Sequence, residues 1–226
     1  MVKPFVVSLM ADPSGAYTTA AAMVACVEGA LQRLHGGGLE GRRVVVLGGT
    51  GPVGRIAGVI AAQAGAKVEL SSRNGIDVAE EAATETGKRF GVTLHGVSGG
   101  DRAAIRTSII EADVVLACAA AGVQVLSSED LTHAKRLLVA ADVNAVPPEG
   151  IAGVGVMDDA KPLEGVGAGG KAVGIGALAI GNVKYQTQHR LLVGMCRAGK
   201  PLVLSFAEAF ETARDFLAGK PGPAED

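Results

Sequence analysis

The sequence predicts an α/β protein with a doubly wound parallel sheet, and three observations lead to this prediction. Short β-branched runs alternate with longer helical segments between residues 42 and 141. A glycine-rich loop joins the first of these runs, Arg42–Leu47, to the helix that follows it. Alanine, glycine and valine dominate the composition and aromatic residues make up only 3%, which suits helices packed closely on both faces of a sheet.

Two elements precede the alternating region. The chain begins with a strand-like run, Phe5–Met10, followed by a turn at residues 11–15. A helix is predicted from Thr18 to Leu34, with Thr18 or Thr19 as its N-cap and the three glycines at 36–38 as its end.

The alternating region consists of five strands, each of which is followed by a helix except the last. Strands are predicted at Arg42–Leu47, Lys67–Ser71, Val92–His95, Asp113–Cys118 and Leu137–Ala141, and helices from the glycine loop to about Ala64 and at Val78–Phe90, Arg102–Glu111 and Ser128–Ala134. This spacing predicts right-handed βαβ crossovers and therefore a parallel sheet. After Asp142 come Pro147-Pro148 and a glycine-rich stretch through Gly181, with two closing helices at Ile175–Met195 and Ser205–Leu217 and a disordered tail at 221–226.

The glycine loop has the pattern Gly49-x-Gly51-x-x-Gly54. The pattern is weak alone, but here it follows a buried strand and opens a helix, as in a Rossmann-type dinucleotide-binding domain. Gly49 is expected to permit the tight turn, Gly51 to let the backbone approach a pyrophosphate, and Gly54 to let the helix pack on the strand. The whole loop, including Thr50, Pro52 and Val53, is therefore a candidate phosphate site at a helix N-terminus.

The end of the next strand, Ser71-Ser72-Arg73-Asn74, distinguishes the two nicotinamide dinucleotides. An NAD site usually carries Asp or Glu there to bind the ribose 2′-hydroxyl. Arg73, with the two serine hydroxyls, instead suits a 2′-phosphate. The sequence thus favours NADP, with NAD as the alternative, and Ser72 and Arg73 are the candidate contacts.

Two more segments follow strands at the edge of the sheet where such a fold binds its ligand. The small residues of 117–122, among them Cys118 and Ala119, would let a nicotinamide ring and its ribose lie close to the backbone. Asn144, in the segment 142–148, could bond cofactor or substrate. Each segment could also be a plain loop.

The composition excludes several other classes of protein. A net charge of −2 without a basic run, together with the scarcity of aromatic residues, speaks against nucleic-acid binding. The apolar stretches fall short of the roughly 20 residues that span a membrane, and no signal peptide is recognisable. The four histidines show no metal-ligand spacing, so no metal site is predicted. The three cysteines are expected to be buried, reduced side chains in the cytoplasm.

Taken together, these segments resemble the bacterial NAD(P)-dependent methylenetetrahydromethanopterin dehydrogenases of one-carbon metabolism, in particular their B-type. The resemblance extends from ADPSG (11–15) and TTAAA (18–22) through the glycine loop to DVNAVPPEGIAG (142–153) and GIGALAIGNVKYQTQ (174–188). The last two stretches are long and of unusual composition. Members of the family carry a further N-terminal α/β segment, so residues 1–38 are interpreted as a remnant of a substrate domain and 39–220 as the NADP-binding domain.

The resemblance implies direct hydride transfer from a methylene-pterin to the nicotinamide, a reaction that needs little acid–base assistance. Asp12 is the candidate anion near the substrate, and Lys184 the candidate residue lining the cleft near the nicotinamide. Two alternatives remain: an NADP oxidoreductase of the same fold with another substrate, and a non-catalytic NADP-binding protein. A homo-oligomer is expected, because the apolar helix predicted at Thr18–Leu34 would otherwise expose a patch.

Overall fold

A computed structural model describes residues 7–222 of the chain, and its architecture is a seven-stranded sheet covered by helices on both faces. The strands are β1 (Leu9–Met10), β2 (Arg43–Leu47), β3 (Lys67–Ser72), β4 (Leu94–Ser98), β5 (Val114–Ala117), β6 (Val139–Asp142), β7 (Lys161–Pro162), β8 (Val173–Ile175) and β9 (Val203–Leu204). The helices are α1 (Ala16–His35), α2 (Pro52–Gln63), α3 (Ile76–Phe90), α4 (Arg102–Ile109), α5 (Ser128–Leu131), α6 (Ala177–Arg197) and α7 (Phe206–Leu217).

The strand order in the sheet is β4-β3-β2-β5-β6-β8-β7, and every pair is parallel except the edge pair of β7 with β8. The short strands β1 and β9 pair separately. From β2 the chain proceeds outward to β3 and β4, then returns to the other side of β2 to form β5. The loops that follow β2 and β5 therefore diverge, which opens a crevice at the carboxyl edge of the sheet. The predicted doubly wound sheet is confirmed.

The side chains of β2 show how the sheet divides the core. Val44 and Val46 belong to the cluster beneath α1, α2, α6 and α7, whereas Val45 and Leu47 belong to the cluster beneath α4 and α5. All four are almost completely buried. A strand that is covered on both faces has to be apolar throughout, which explains the unbroken run of valines.

Helix α1 lies within the larger of the two clusters. It packs against α2, α6 and α7 and contacts β6, and its buried residues include Met23, Val27 and Leu31. The exposed patch expected on this helix is therefore absent from the described structure, because the same chain covers it. The core continues across residue 38, and the domain boundary predicted there remains a prediction.

Several predicted bounds are wrong in detail. Helix α1 begins at Ala16, with Gly15 as its N-cap, because the Asp12 carboxylate binds the first amides in place of Thr18 or Thr19. Ile175 ends a strand, and α6 begins at Ala177. Strand β4 lies further along the chain than predicted, and β7, β8 and β9 were not predicted.

Two predictions fall partly outside the described residues. These are the first part of the strand at Phe5–Met10 and residues 223–226 of the tail. Within residues 7–222, no helix is both long and apolar enough to cross a membrane.

Candidate functional site

A cleft of about 430 Å³ lies at the carboxyl edge of the sheet, where the loops after β2 and β5 diverge. The end of β3 and the N-terminus of α4 form one side, and the loop after β5 forms the other. The residues that line it are Leu47, Gly48, Thr50, Gly51, Ser71, Arg73, Asn74, Gly99, Arg102, Ile105, Cys118, Ala119, Ala120, Val123, Gln124 and Val125. The cleft thus brings together three segments that are separate in the sequence and that were predicted to form one cofactor site.

The glycine loop is held by close backbone approaches. A Cβ at Gly54 would lie 2.6 Å from the carbonyl oxygen of Gly48, and a Cβ at Gly49 would lie 2.8 Å from Cα of Leu70 on β3. The tight turn itself is made by Gly48, whose φ is +75°, and not by Gly49 as the motif predicted. Position 49 instead requires a glycine because β3 passes so close to it. The two adjacent glycines therefore have different roles, Gly48 in the turn and Gly49 in the packing against β3.

The N-terminus of α2 offers unpaired backbone donors. Among the described residues, the amides of Thr50, Val53 and Gly54 donate no hydrogen bond, and Gly51 as N-cap supplies no side chain. Pro52 begins the helix, where the amide it lacks would be unpaired in any case. These donors and the partial positive charge of the helix end suit a pyrophosphate, so the loop fits a dinucleotide.

An arginine outside the cleft braces this loop. Arg55 Nε donates to the carbonyl oxygen of Thr50 at 3.1 Å, and its Nη1 donates to Glu85 on α3 at 2.6 Å. The peptide between Thr50 and Gly51 is therefore held by a residue that does not line the cleft.

The end of β3 divides its two serines between two environments. Ser71 and Arg73 line the cleft, whereas the Ser72 side chain is buried and accepts a hydrogen bond from the amide of Asn74 at 3.1 Å. Of the predicted 2′-phosphate contacts, the structure therefore places Arg73 at the cleft and Ser72 in the turn that positions it. Ser71 and Asn74 also line the cleft here, although they were not among the candidate contacts.

The loop after β5 lines the other side of the cleft with Cys118 and Ala119. Burial raises the pKa of the Cys118 thiol to about 12, with the Asp142 carboxylate adding to the effect. The sulfur lies 3.7 Å from Met23 Sδ on α1. Cys118 is therefore a neutral, apolar part of the wall, and a reactive thiolate is not formed there.

Asn144 does not line the cleft but holds the loops around it. Its Oδ1 accepts from the amides of Gly122 and Val146, each at 3.0 Å, and its Nδ2 donates to the Pro148 carbonyl at 2.8 Å. Asp142 in turn accepts from the Asn144 amide at 2.9 Å. Burial raises the pKa of the Asp142 carboxyl, although the backbone amides of Asn144, Gly150 and Ile151 oppose the rise. The segment is thus a braced loop that supports the wall after β5.

Asp12 lies where the turn before α1 meets α6. Its Oδ1 accepts from the amides of Tyr17 and Thr18, and its Oδ2 accepts from Thr18 Oγ1 at 2.7 Å and Gln188 Nε2 at 3.0 Å. Burial alone would raise the pKa of Asp12, but these hydrogen bonds outweigh burial and lower it. The carboxylate is therefore a fixed anion.

Lys184 lies one helical turn before Gln188 and on the same face of α6. Its Nζ lies against the turn, 2.7 Å from where a Cβ at Gly15 would stand. No carboxylate of the described residues is within 4.0 Å of this ammonium group. Asp12, which bonds Gln188, and Lys184, which lies against Gly15, thus meet at the turn before α1, but neither residue lines the cofactor cleft. The sequence analysis did not single out Gln188, although its spacing of four residues from Lys184 places both on one face of α6.

The described residues contain no group of three or more His, Cys, Asp or Glu that could hold a metal ion. The cysteines at 26, 118 and 196 are free thiols. Cys26 is buried, but Cys196 is exposed, which differs from the expectation that all three are buried.

Comparison with known proteins identifies relatives that match most of the chain, although no family model matches it. The chain is 47% identical over 212 residues to the NAD(P)-dependent methylenetetrahydromethanopterin dehydrogenase of Methylorubrum extorquens, covering 94% of this chain and 70% of that protein. It is 35% identical to the bifunctional protein MdtA of the same organism, covering 94% of this chain and 69% of that protein.

Solved structures support the fold. Quinate dehydrogenase from Corynebacterium glutamicum in complex with NAD has a TM-score of 0.55 at 15% identity, covering 96% of this chain and 76% of that one. The 5-ketofructose reductase of Gluconobacter sp. strain CHM43 has a TM-score of 0.52 at 17% identity, covering 95% and 77%. These likenesses confirm a Rossmann-type fold, and the sequence identities above show the family: the chain belongs to the NAD(P)-dependent methylenetetrahydromethanopterin dehydrogenases.

Proposed function

We propose that this chain transfers hydride from methylenetetrahydromethanopterin to NADP, with NAD as a second acceptor. The observation that carries the proposal is the 47% identity over 94% of the chain to the dehydrogenase of that name. The cleft supports it, because the glycine loop, Arg73 and the small residues at 118–120 line one continuous surface.

Bound in this cleft, NADP supplies the hydride acceptor, C4 of its nicotinamide ring. The α2 N-terminus binds the pyrophosphate through its unpaired amides, and Arg73 holds the 2′-phosphate. Small side chains at Cys118 and Ala119 let the nicotinamide half lie close to the backbone. The neutral thiol of Cys118 leaves this wall uncharged.

The roles of Asp12 and Lys184 follow from the chemistry of the substrate. Loss of hydride leaves a methenyl cation shared between two nitrogens, so a fixed anion nearby favours the product. Asp12 suits this role, because all its donors stabilise the charged form, which also makes it a poor proton acceptor. Lys184 is proposed to donate to a carbonyl oxygen of the pterin, since a second cation at the reacting carbon would be unfavourable.

Titration of the purified chain with NADP, followed by addition of methylenetetrahydromethanopterin, tests the proposal. We expect NADP to bind and the absorbance of the reduced nicotinamide to appear only when the pterin is added. Binding of NADP without reduction would leave the cofactor site standing and overturn the substrate, in favour of another substrate or a non-catalytic role. A chain that binds neither NADP nor NAD would overturn both.

The proposal extends to the compartment and the oligomeric state of the protein. The three free thiols agree with a reducing cytoplasm. The homo-oligomer remains a prediction, but an exposed apolar face on α1 no longer supports it, because helices of the same chain cover α1. Light scattering combined with size-exclusion chromatography measures the oligomeric state directly.

A further inference from the structure

The adenine half of the cleft can be located from the fold. In this topology the end of β3 holds the adenosine ribose, so Ser71, Arg73 and Asn74 mark that half. The remaining walls there come from the N-terminus of α4, with Arg102 and Ile105, and from the loop segment 123–125. An adenine ring bound in the cleft would lie between these two walls.

Arg102 spans the two walls. It is the first residue of α4, and its Nη1 donates to the carbonyl oxygen of Val125 at 3.0 Å and to Asp130 Oδ2 at 2.9 Å. Its side chain is 51% exposed and lines the cleft. Within residues 7–222, only Nη1 of this guanidinium has a hydrogen-bond partner, so one corner is anchored while the rest of the plane is available.

The anchor is a fully buried carboxylate. Asp130 also accepts from Arg106 Nε at 2.7 Å and from the amide and hydroxyl of Ser127 at 2.9 and 2.7 Å. Burial alone would raise the pKa of Asp130, but these donors and the charge of Arg102 lower it to about 2. The carboxylate therefore stays charged and keeps Arg102 in one place.

We propose that Arg102 is an adenine-contacting residue, which Asp130 and Val125 hold so that its guanidinium packs against the base. Planar guanidinium groups stack on aromatic rings, and an anchored side chain loses little conformational freedom on binding. This inference rests on the proposed function only in so far as a nicotinamide dinucleotide occupies the cleft. Arg102 then contributes equally to the binding of NAD and NADP, because both contain adenine, whereas Arg73 distinguishes the two.

Arg102→Met is the test, and Arg136→Met is its control, because Arg136 is similarly exposed and pairs with the buried Asp113 but does not line the cleft. Dissociation constants are measured for NADP, NAD, adenosine 5′-monophosphate, adenosine 2′,5′-bisphosphate and nicotinamide mononucleotide, together with the melting temperature. For Arg102→Met we expect about tenfold weaker binding of every adenine-containing ligand, equivalent to about 1.4 kcal/mol. Nicotinamide mononucleotide should bind as to the wild type. Arg136→Met should bind all five ligands as the wild type does.

The remaining outcomes separate the inference from the proposed function. Unchanged binding by Arg102→Met, or equal weakening by both variants, would overturn the inference. A loss confined to the 2′-phosphorylated ligands would also overturn it, because Arg102 would then read the phosphate. Arg102→Lys keeps the charge and loses the planar group, so wild-type affinity in this variant would count against stacking. A wild type that binds no dinucleotide would overturn the proposed function itself.

Discussion

Replacing Gly54 by alanine tests the close approach between α2 and the glycine loop. The new Cβ would lie 2.6 Å from the carbonyl oxygen of Gly48 and 2.8 Å from Cα of Gly49. Both neighbours are backbone atoms and cannot rotate away, so the helix or the loop has to move. The movement displaces the amides that are proposed to bind the pyrophosphate.

The size of the effect follows from two opposing terms. Overpacking a well-packed site costs about 1–3 kcal/mol, and alanine in place of glycine in a helix returns about 1 kcal/mol. The net loss of up to about 2 kcal/mol would lower the melting temperature by up to roughly 8 °C in a chain of this size. The control is Gly194→Ala in α6, where a Cβ meets no heavy atom within 4 Å. That variant keeps only the favourable helical term and should melt slightly higher than the wild type.

Differential scanning calorimetry gives the melting temperatures, and titration calorimetry gives the affinity for NADP. We expect Gly54→Ala to bind NADP about tenfold more weakly or worse, since a hydrogen bond to a charged phosphate contributes about 1.5–3 kcal/mol, and Gly194→Ala to bind it normally. If Gly54→Ala retained both the melting temperature and the affinity of the wild type, the close approach and its role in phosphate binding would be refuted.

Three further predictions concern charged groups. Arg73→Ala should weaken NADP binding roughly ten- to hundredfold, as expected for lost bonds to a charged group, and leave NAD binding unchanged; equal losses for both in titration calorimetry would contradict a 2′-phosphate contact. Gln188→Ala removes a donor that lowers the pKa of Asp12, so the acidic limb of the pH–kcat profile should shift to higher pH, and an unshifted limb would count against Asp12. Asp130→Asn should lose roughly 2 kcal/mol of stability, the equivalent of a pKa lowered from 3.8 to about 2. Because a lowered pKa stabilises the fold above the unfolded value, this difference in urea unfolding should be full at neutral pH and shrink as pH falls from about 4 to about 2; a difference independent of pH would contradict it.

Much of the fold could be predicted from residue pattern alone. The valine run of β2, the glycine loop and the alternation up to Asp142 indicated the class, because strands covered on both faces have to be apolar. The short strand β8 escaped prediction, since Val173-Gly-Ile175 carries too few residues for a periodicity to be recognised. Its identity as a strand depends on pairing with β6.

The candidate site divides in a similar way. The motif and the strand end were sufficient to predict the glycine loop and Arg73, because their chemistry is local. Which of two neighbouring residues does the work was decided by tertiary contacts. Gly48 makes the turn, whereas Gly49 has to be a glycine because Leu70 of the neighbouring strand passes so close to it. Ser71 reaches the cleft because side chains alternate along a strand, and Ser72 points into the turn.

By itself, the sequence predicted the α/β class, the dinucleotide loop and the family, and it led to the proposal of a 2′-phosphate contact at Arg73, since each of these rests on short stretches of sequence. Only the tertiary structure decided that Asp12 and Gln188 meet across 176 positions, and that Arg102 joins the two walls of the cleft through the Val125 carbonyl while Asp130 anchors it. The physical reason is that a hydrogen bond between distant residues leaves no periodicity in the sequence. Its geometry exists only after the sheet has brought the ends of its strands together.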